Sequence, residues 1–140
     1  MVDAKYQVTM WYDIKLIREK ETPKGELKQV CESYLFNAEL VSESEAKALE
    51  EYPDCEVVCV ARSKIVEIVN ENIREGAFYK AKVTETTVNE DGSESSRSYL
   101  VLCNAESLPK ATTIFQEYLR QGLENMELQN ITKTKIIDIL

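Results

Sequence analysis

The sequence predicts an α+β fold: a tandem repeat of a ββαβ unit, with mostly antiparallel sheet and one helix per copy. The first observation behind this prediction is that three segments recur along the chain. They are Trp11–Leu16 with Phe78–Val83, 67 positions apart; Ser33–Phe36 with Ser98–Val101, 65 apart; and Cys55–Val69 with Met126–Leu140, 71 apart. The second is that each copy shows strand periodicity, then turn residues, then a helical pattern. An internal repeat of this kind predicts two similar halves about a pseudo-twofold axis.

The repeat sets the expected boundaries. We expect a first ββαβ repeat at 1–69, a linker at 70–77 and a second repeat at 78–140. A half of this size buries too little surface to be very stable alone. We therefore expect the halves to share burial in one compact pseudo-symmetric domain.

The first strand of each copy alternates with period two, which is typical of a strand with one buried face. The positions expected to face inward are Val8, Met10, Tyr12, Ile14 and Leu16, then Tyr79, Ala81 and Val83. Turns follow at Thr22–Gly25 and at Asn89–Gly92, where glycine supplies a positive φ. The second strands are expected at 30–38 and 97–105.

A helix follows in each copy. Ser42 with Glu45 resembles a capping box, and Ser107 is the equivalent cap of the second helix. The apolar positions of the helices are Ala46 and Leu49 in the first copy, then Ala111, Ile114, Phe115, Tyr118 and Leu119 in the second.

The last element of each copy is rich in β-branched residues and is expected to be a strand. A polar break at Arg62–Lys64, and again at Lys133–Lys135, predicts either two short strands or one bent strand with a bulge.

Composition excludes several functions. The net charge of −8 opposes general nucleic-acid binding. No apolar run is long enough for a membrane helix, and no apolar secretory segment opens the chain. We therefore expect a cytoplasmic protein with four reduced cysteines acting as small apolar core residues. Histidine is absent, which argues against a catalytic triad, and no cofactor or metal site is expected.

Several strings taken together resemble a known family. They are Trp11-Tyr12-x-x-Lys15, Tyr34-Leu35 before the Ser42-x-x-Glu45-Ala46 cap, Ala61-Arg62-Ser63-Lys64, and Phe78-Tyr79-Lys80-Ala81-Lys82. The chain resembles, over nearly its whole length, a family of short Bacteroidetes proteins known as a domain of unknown function. The resemblance implies a bacterial cytoplasmic or mobile-element origin and carries over no catalytic or binding residue.

Two carboxylates are the candidates for chemistry. Glu67 and Asp138 interrupt apolar strands at matching repeat positions. Near a pseudo-twofold axis they would approach each other, and they could then exchange protons or hold a divalent cation. The alternative is that both lie on a solvent-exposed face.

Two sets of residues are candidates for binding. Arg62, Lys64, Lys133 and Lys135 form a duplicated basic pair, suited to a phosphate, a nucleotide or an acidic partner. Salt bridges or protection of a strand edge are the alternatives. Trp11 and Phe78 are equivalent positions predicted to form a symmetric aromatic patch, unless the helices or the other half cover that face.

These observations favour a non-catalytic binding or interaction module that engages a protein partner through the seam between the repeats. A second possibility is a small-ligand or cation-binding sensor or enzyme with a pocket between the repeats. A third is a nucleic-acid-binding accessory protein.

Overall fold

The computed structural model describes residues 10–122 and 125–140. Their eight strands and two helices follow in chain order. They are β1 Met10–Glu21, β2 Leu27–Ala38, α1 Val41–Glu51, β3 Glu56–Arg62, β4 Ile65–Ile68, β5 Ala77–Val88, β6 Glu94–Ala105, α2 Leu108–Arg120, β7 Asn125–Lys133 and β8 Ile136–Ile139. The α+β class is therefore confirmed.

The strands form two four-stranded sheets, each in its own compact unit. The first unit contains residues 10–63 and 135–140, with strand order β3-β1-β2-β8 and helix α1. The second contains residues 64–122 and 125–134, with strand order β4-β6-β5-β7 and helix α2. Three strands of each sheet are antiparallel, while β8 pairs parallel to β2 and β4 pairs parallel to β6. The sheets are thus mixed and mostly antiparallel.

The last strand of each half pairs with the sheet of the other half. At the polar breaks the chain forms two separate strands, β3 then β4 and β7 then β8, which settles the choice left open above. Strand β4 joins β6, and β8 joins β2. The compact units consequently differ from the boundaries predicted at 1–69, 70–77 and 78–140, because 64–69 lie in the second unit and 135–140 in the first.

The two sheets have the same register. Met10 pairs with Ala38 and Ala77 with Ala105, a constant spacing of 67. The spacing of 65 assigned to the second strands is therefore wrong by two residues. It arose because Ser-Tyr-Leu happens to occur in both strands, two places out of register. The spacing of 71 for the third segments agrees with the parallel pairs, Ser33 with Ile136 and Leu100 with Ile65.

Both predicted turns are confirmed. The amide of Gly25 donates to the carbonyl of Thr22 over 2.8 Å, and the amide of Gly92 donates to that of Asn89 over 3.0 Å. Both glycines have positive φ, 80° and 86°, which a side chain would make unfavourable.

The cap predicted for α1 is wrong, and that for α2 is confirmed. The N-cap of α1 is Leu40, and the carboxylate of Glu43 accepts the exposed backbone amides of Glu39 and Leu40. Ser42 therefore lies inside the first turn. The buried positions of α1 are Ser44 and Ala48, whereas the predicted Ala46 and Leu49 are exposed. In α2 the hydroxyl of Ser107 accepts the amide of Lys110, as predicted.

Each unit has a core between one face of its sheet and its helix. In the first unit the core residues are Ile14, Leu16, Tyr34, Phe36 and Ala48. In the second they are Tyr79, Ala81, Val83, Val101, Cys103, Ala105, Ala111 and Phe115. The predicted inward faces of β1 and β5 are thus largely confirmed, although Val8 lies outside the described residues. Among the described residues, no helix is long and apolar enough to cross a membrane.

Candidate functional site

The predicted basic pairs are divided between the units by the exchanged strands. Arg62 ends β3 opposite Tyr12, while Lys64 precedes β4 and belongs to the second unit. Within the first unit, Arg62 and Lys135 lie at opposite edges of the sheet, because β3 and β8 are its two edge strands. Lys64 and Lys133 are related in the same way in the second unit. All four cations are exposed, but neither sheet brings two of them together at one edge.

The predicted aromatic patch is wrong for Phe78. Its side chain is only 2% exposed, and the guanidinium of Arg74 lies 5.3 Å from the ring centroid. Arg74 comes from the segment just before β5, so the chain itself covers this ring. Trp11, the equivalent residue, is half-buried. A symmetric pair of exposed rings is therefore not formed.

The two candidate carboxylates lie on different sheets. Glu67 is on β4 at the edge of the second sheet, and Asp138 is on β8 at the edge of the first. Glu67 accepts a 2.6 Å hydrogen bond from the hydroxyl of Tyr118, whereas Asp138 accepts one of 2.8 Å from the amide of Ile139. Each carboxylate thus has local partners within its own unit.

The cysteines only partly follow the prediction that they fill the core. Cys103 is fully buried and Cys55 packs at the margin of the first core, but Cys31 and Cys59 are exposed. Burial raises the pKa of the Cys103 thiol to about 12 and also raises that of Cys55. Among the described residues, no three acidic or cysteine side chains are grouped in a way that could hold a metal ion.

A cavity on the second sheet gathers two lysines. It has a volume of about 450 Å³ and is lined by Lys64, Val66, Lys82, Ser98, Tyr99 and Leu100. Lys82 alternates with the core residues Ala81 and Val83, so it points away from α2. We name this set of residues the lysine cavity. Lys64 was predicted from sequence, while Lys82 and Ser98 were missed.

A second cavity of about 420 Å³ lies near the predicted carboxylate. It is lined by Val66, Glu67, Arg97, Tyr99 and Tyr118. The guanidinium of Arg97 lies 5.5 Å from the Tyr99 ring centroid and pairs with Glu85 at 2.8 Å. Burial and the hydrogen bond to Glu67 raise the pKa of Tyr118. The hydroxyl therefore stays protonated and acts as a donor to Glu67 at neutral pH.

The first unit contains a buried ionic cluster that the sequence analysis did not identify. Glu32 is 4% exposed and accepts hydrogen bonds from Arg18, from Lys20 at 2.7 Å and from the Tyr34 hydroxyl at 3.2 Å. Burial alone would raise the pKa of Glu32, but the hydrogen bonds from Arg18 and Lys20 outweigh it and hold the pKa below its usual value. The sequence did contain a signal for this cluster. Glu32 lies two positions before Tyr34 in an alternating strand, and side chains two apart face the same side of a sheet.

The ionic cluster borders the largest of these cavities, about 530 Å³ at the end of α1. Arg18 lies over the Tyr52 ring, 4.6 Å from its centroid, and the Tyr34 and Tyr52 centroids are 5.4 Å apart. The remaining lining includes Glu19, Glu51, Asp54 and Glu56. Because Arg18 is already paired with Glu32, the rim of this cavity has an excess of negative charge.

The comparisons with known proteins identify a family. The model for a domain of unknown function, DUF4494, matches residues 10–140, so the chain belongs to this family. Neither the curated proteins nor the solved structures contain a significant match to the chain.

Proposed function

We propose that this protein is a non-catalytic binding module. The observation that supports it is that the two candidate carboxylates, Glu67 and Asp138, lie on separate sheets and are hydrogen-bonded within their own units. The directions of the pKa shifts among other side chains agree with it. Acid–base catalysis near neutral pH needs groups whose pKa is moved toward neutrality, and nucleophilic catalysis needs an activated thiolate or hydroxyl. The shifts in this protein go the other way.

The groups concerned are buried or half-buried side chains. Burial raises the pKa of the Cys55 and Cys103 thiols, and of the Tyr34 and Tyr118 hydroxyls. The pKa of Glu32 is lowered, which keeps it an anion. Each group thus keeps its ordinary protonation state at pH 7. None of these groups is therefore poised to exchange a proton with a bound compound near neutral pH.

The duplicated ββαβ unit fits a binding role. Each copy contributes an exposed lysine at the same place in its first strand, Lys15 on β1 and Lys82 on β5. We place the protein in the bacterial cytoplasm and propose that its partners include another protein. A seam between the repeats as the contact surface stays a prediction.

A sensor or enzyme that uses Glu67 is the second candidate. It is favoured by the cavity that Glu67, Tyr99 and Tyr118 share. The hydrogen bond from Tyr118 already occupies one carboxylate oxygen, which reduces its capacity to bind a cation. Nucleic-acid binding ranks third, because the net charge of −8 repels a phosphate backbone.

A binding-without-turnover experiment tests the proposal. The purified protein is screened by thermal shift against organic acids, phosphates, nucleotides and divalent cations. A ligand at 100 times its dissociation constant should stabilise the fold by about 2.7 kcal/mol. We expect each stabilising compound to be recovered chemically unchanged after prolonged incubation, as judged by NMR.

Conversion of a compound would contradict a non-catalytic role if Glu67→Gln abolished the conversion and Glu71→Gln did not. Glu71 is an exposed carboxylate outside the cavities described above, so its substitution controls for loss of one negative charge.

A further inference from the structure

The lysine cavity combines two cations with an apolar surface. Lys64 and Lys82 are both exposed. The Ser98 hydroxyl lies 3.1 Å from that of Thr84, and by accepting from Thr84 it keeps its own hydrogen for a ligand. Val66 is 59% exposed although it is aliphatic, and it lines the same cavity as Leu100. Among the described residues that line the cavity, none is acidic. The lining therefore offers charge at one part and an apolar contact at another.

Three of the six lining positions, two lysines and one aliphatic residue, keep their residue type at the corresponding places of the first sheet. Lys15 corresponds to Lys82, and each immediately precedes a β-bulge in its strand. Lys135 and Ile137 correspond to Lys64 and Val66, because Ile136 and Ile65 make equivalent parallel pairs.

The other three lining positions have changed. Ser98 corresponds to Cys31, Tyr99 to Glu32 and Leu100 to Ser33, at the spacing of 67. Exposed lysines contribute little to stability. Protection of a sheet edge can account for Lys64 and Lys135, but Lys15 and Lys82 lie on the inner strands β1 and β5. The retention of Lys15 and Lys82 is therefore better explained by binding than by folding.

The charge around the cavity limits the size of the ligand. The chain carries a net charge of −8, so a positive cavity is set in a predominantly negative protein. Screening confines the lysine field to within about 8 Å at physiological salt. A single anionic group seated between the lysines would gain this attraction, whereas a long polyanion would also meet the surrounding negative charge.

We infer that the lysine cavity binds a small amphipathic organic anion. Its phosphate or carboxylate group would lie between Lys64 and Lys82 and accept a hydrogen bond from Ser98, while its apolar part would contact Val66 and Leu100. This inference rests on the proposed binding function and adds the site and the ligand class.

The test is an NMR titration of the 140-residue chain with phenyl phosphate. Benzyl alcohol is the comparison compound without a charge, and inorganic phosphate is the comparison anion without an apolar part. Hexanoate tests whether a carboxylate can replace the phosphate. We expect saturable shifts confined to amides near 64–66, 82 and 98–100. Phenyl phosphate or hexanoate should bind at least fivefold more tightly than either the alcohol or inorganic phosphate.

Variants locate the site. Lys82→Gln and Lys64→Gln should each weaken binding at least fivefold, and Val66→Ser should weaken phenyl phosphate but not inorganic phosphate. Lys24→Gln is the matched control, since Lys24 is an exposed lysine in the β1–β2 turn and should leave affinity unchanged. The circular dichroism of each variant should match that of the parent protein.

Three results would overturn the inference: no saturable shift at these amides, binding indifferent to Lys82→Gln, or tighter and more salt-dependent binding of a single-stranded oligonucleotide. If a compound bound elsewhere and was not converted, the result would contradict the lysine cavity as the site but would still agree with a non-catalytic binding function. If an anion bound in the lysine cavity were converted, the result would agree with the proposed site but would contradict the non-catalytic function.

Discussion

Glu32 forms an ionic interaction in the first sheet that has no counterpart in the second, where Tyr99 occupies the equivalent position. Its carboxylate is almost fully removed from water and is compensated by Arg18, Lys20 and Tyr34. An ion pair at other positions of the second unit joins Arg97, 76% exposed, to Glu85, 14% exposed. Water competes more strongly with this pair than with the pair of Arg18 and Glu32, so the two contribute differently to stability.

We expect Glu32→Gln to lower the free energy of unfolding by about 1–3 kcal/mol, since hydrogen bonds to a charged group are lost and Arg18 is left without its counter-ion. Arg97→Gln should change it by less than about 1 kcal/mol, as for other exposed pairs. Chemical denaturation at pH 7 measures both. Equal losses in the two variants would contradict the distinction drawn here.

The same residue predicts a pH dependence. A carboxylate whose pKa is lowered in the folded state adds stability above its unfolded pKa, about 4.3 for glutamate. That contribution is lost as the pH falls through the lower folded pKa of Glu32. The stability difference between the parent protein and Glu32→Gln should therefore be full at pH 7 and shrink progressively below about pH 4.3.

At the scale of elements, the two helices differ in how they begin. In α2 the hydroxyl of Ser107 caps the helix, while in α1 Leu40 holds the cap position and Glu43 reaches back to the preceding amides. The segment Glu43-Ser44-Glu45 offers acidic residues at alternate positions, so composition did not distinguish Glu43 from Glu45 as the capping residue. The register that decides between them is set by burial of Ala48 against the sheet.

This difference gives a matched pair of substitutions. Ser107→Ala should lower stability by about 1 kcal/mol, the usual cost of losing an N-cap hydroxyl. Ser42→Ala removes an exposed hydroxyl from inside the first turn of α1, where alanine has the higher helix propensity, and should be neutral or slightly stabilising. Thermal denaturation of the two variants provides the measurement. A loss with Ser42→Ala as large as that with Ser107→Ala would restore Ser42 as the cap.

Strand positions were predictable because alternation and turn glycines are local signals. Tyr12, Ile14 and Leu16 face the core as their periodicity indicates, and Gly25 adopts the positive φ that its turn requires. The sheet that a strand joins is not a local property. In the sequence, Ile65–Ile68 follows Glu56–Arg62 as if it continued the same strand. Its pattern of apolar and polar residues does not indicate that it pairs with β6.

The candidate site was less predictable for the same reason. Lys64 was identified from the duplicated basic pair, but its neighbours in space, Lys82 and Ser98, come from other strands of the second sheet. Lys15 and Lys82 alternate with the predicted inward-facing positions of β1 and β5, and their sequence context alone gave them no functional role. Their role emerges once the exchanged strands place Lys64 and Lys135 in the sheets of the opposite halves.

At the scale of the whole molecule, the exchange makes each sheet depend on both halves of the chain. Without residues 135–140 the first sheet loses β8, and without 65–68 the second loses β4. The loss would expose backbone groups along β2 and β6 that are paired in the intact chain, and such an unpaired edge is unfavourable. A chain divided between the repeats should therefore regain its structure only when both pieces are present.

We expect fragments 1–72 and 73–140, cut in the exposed segment between the repeats, to be poorly folded when separate. Mixed in equal amounts, they should recover cooperative thermal unfolding, because each supplies the strand that the other lacks. Circular dichroism and size-exclusion chromatography follow the recovery. In the control, Ile136→Pro in the second fragment removes the amide of a residue that pairs with Ser33 and should prevent recovery of the first sheet. Fragments that each unfolded cooperatively alone, and did not associate, would show that the strands are not exchanged in solution.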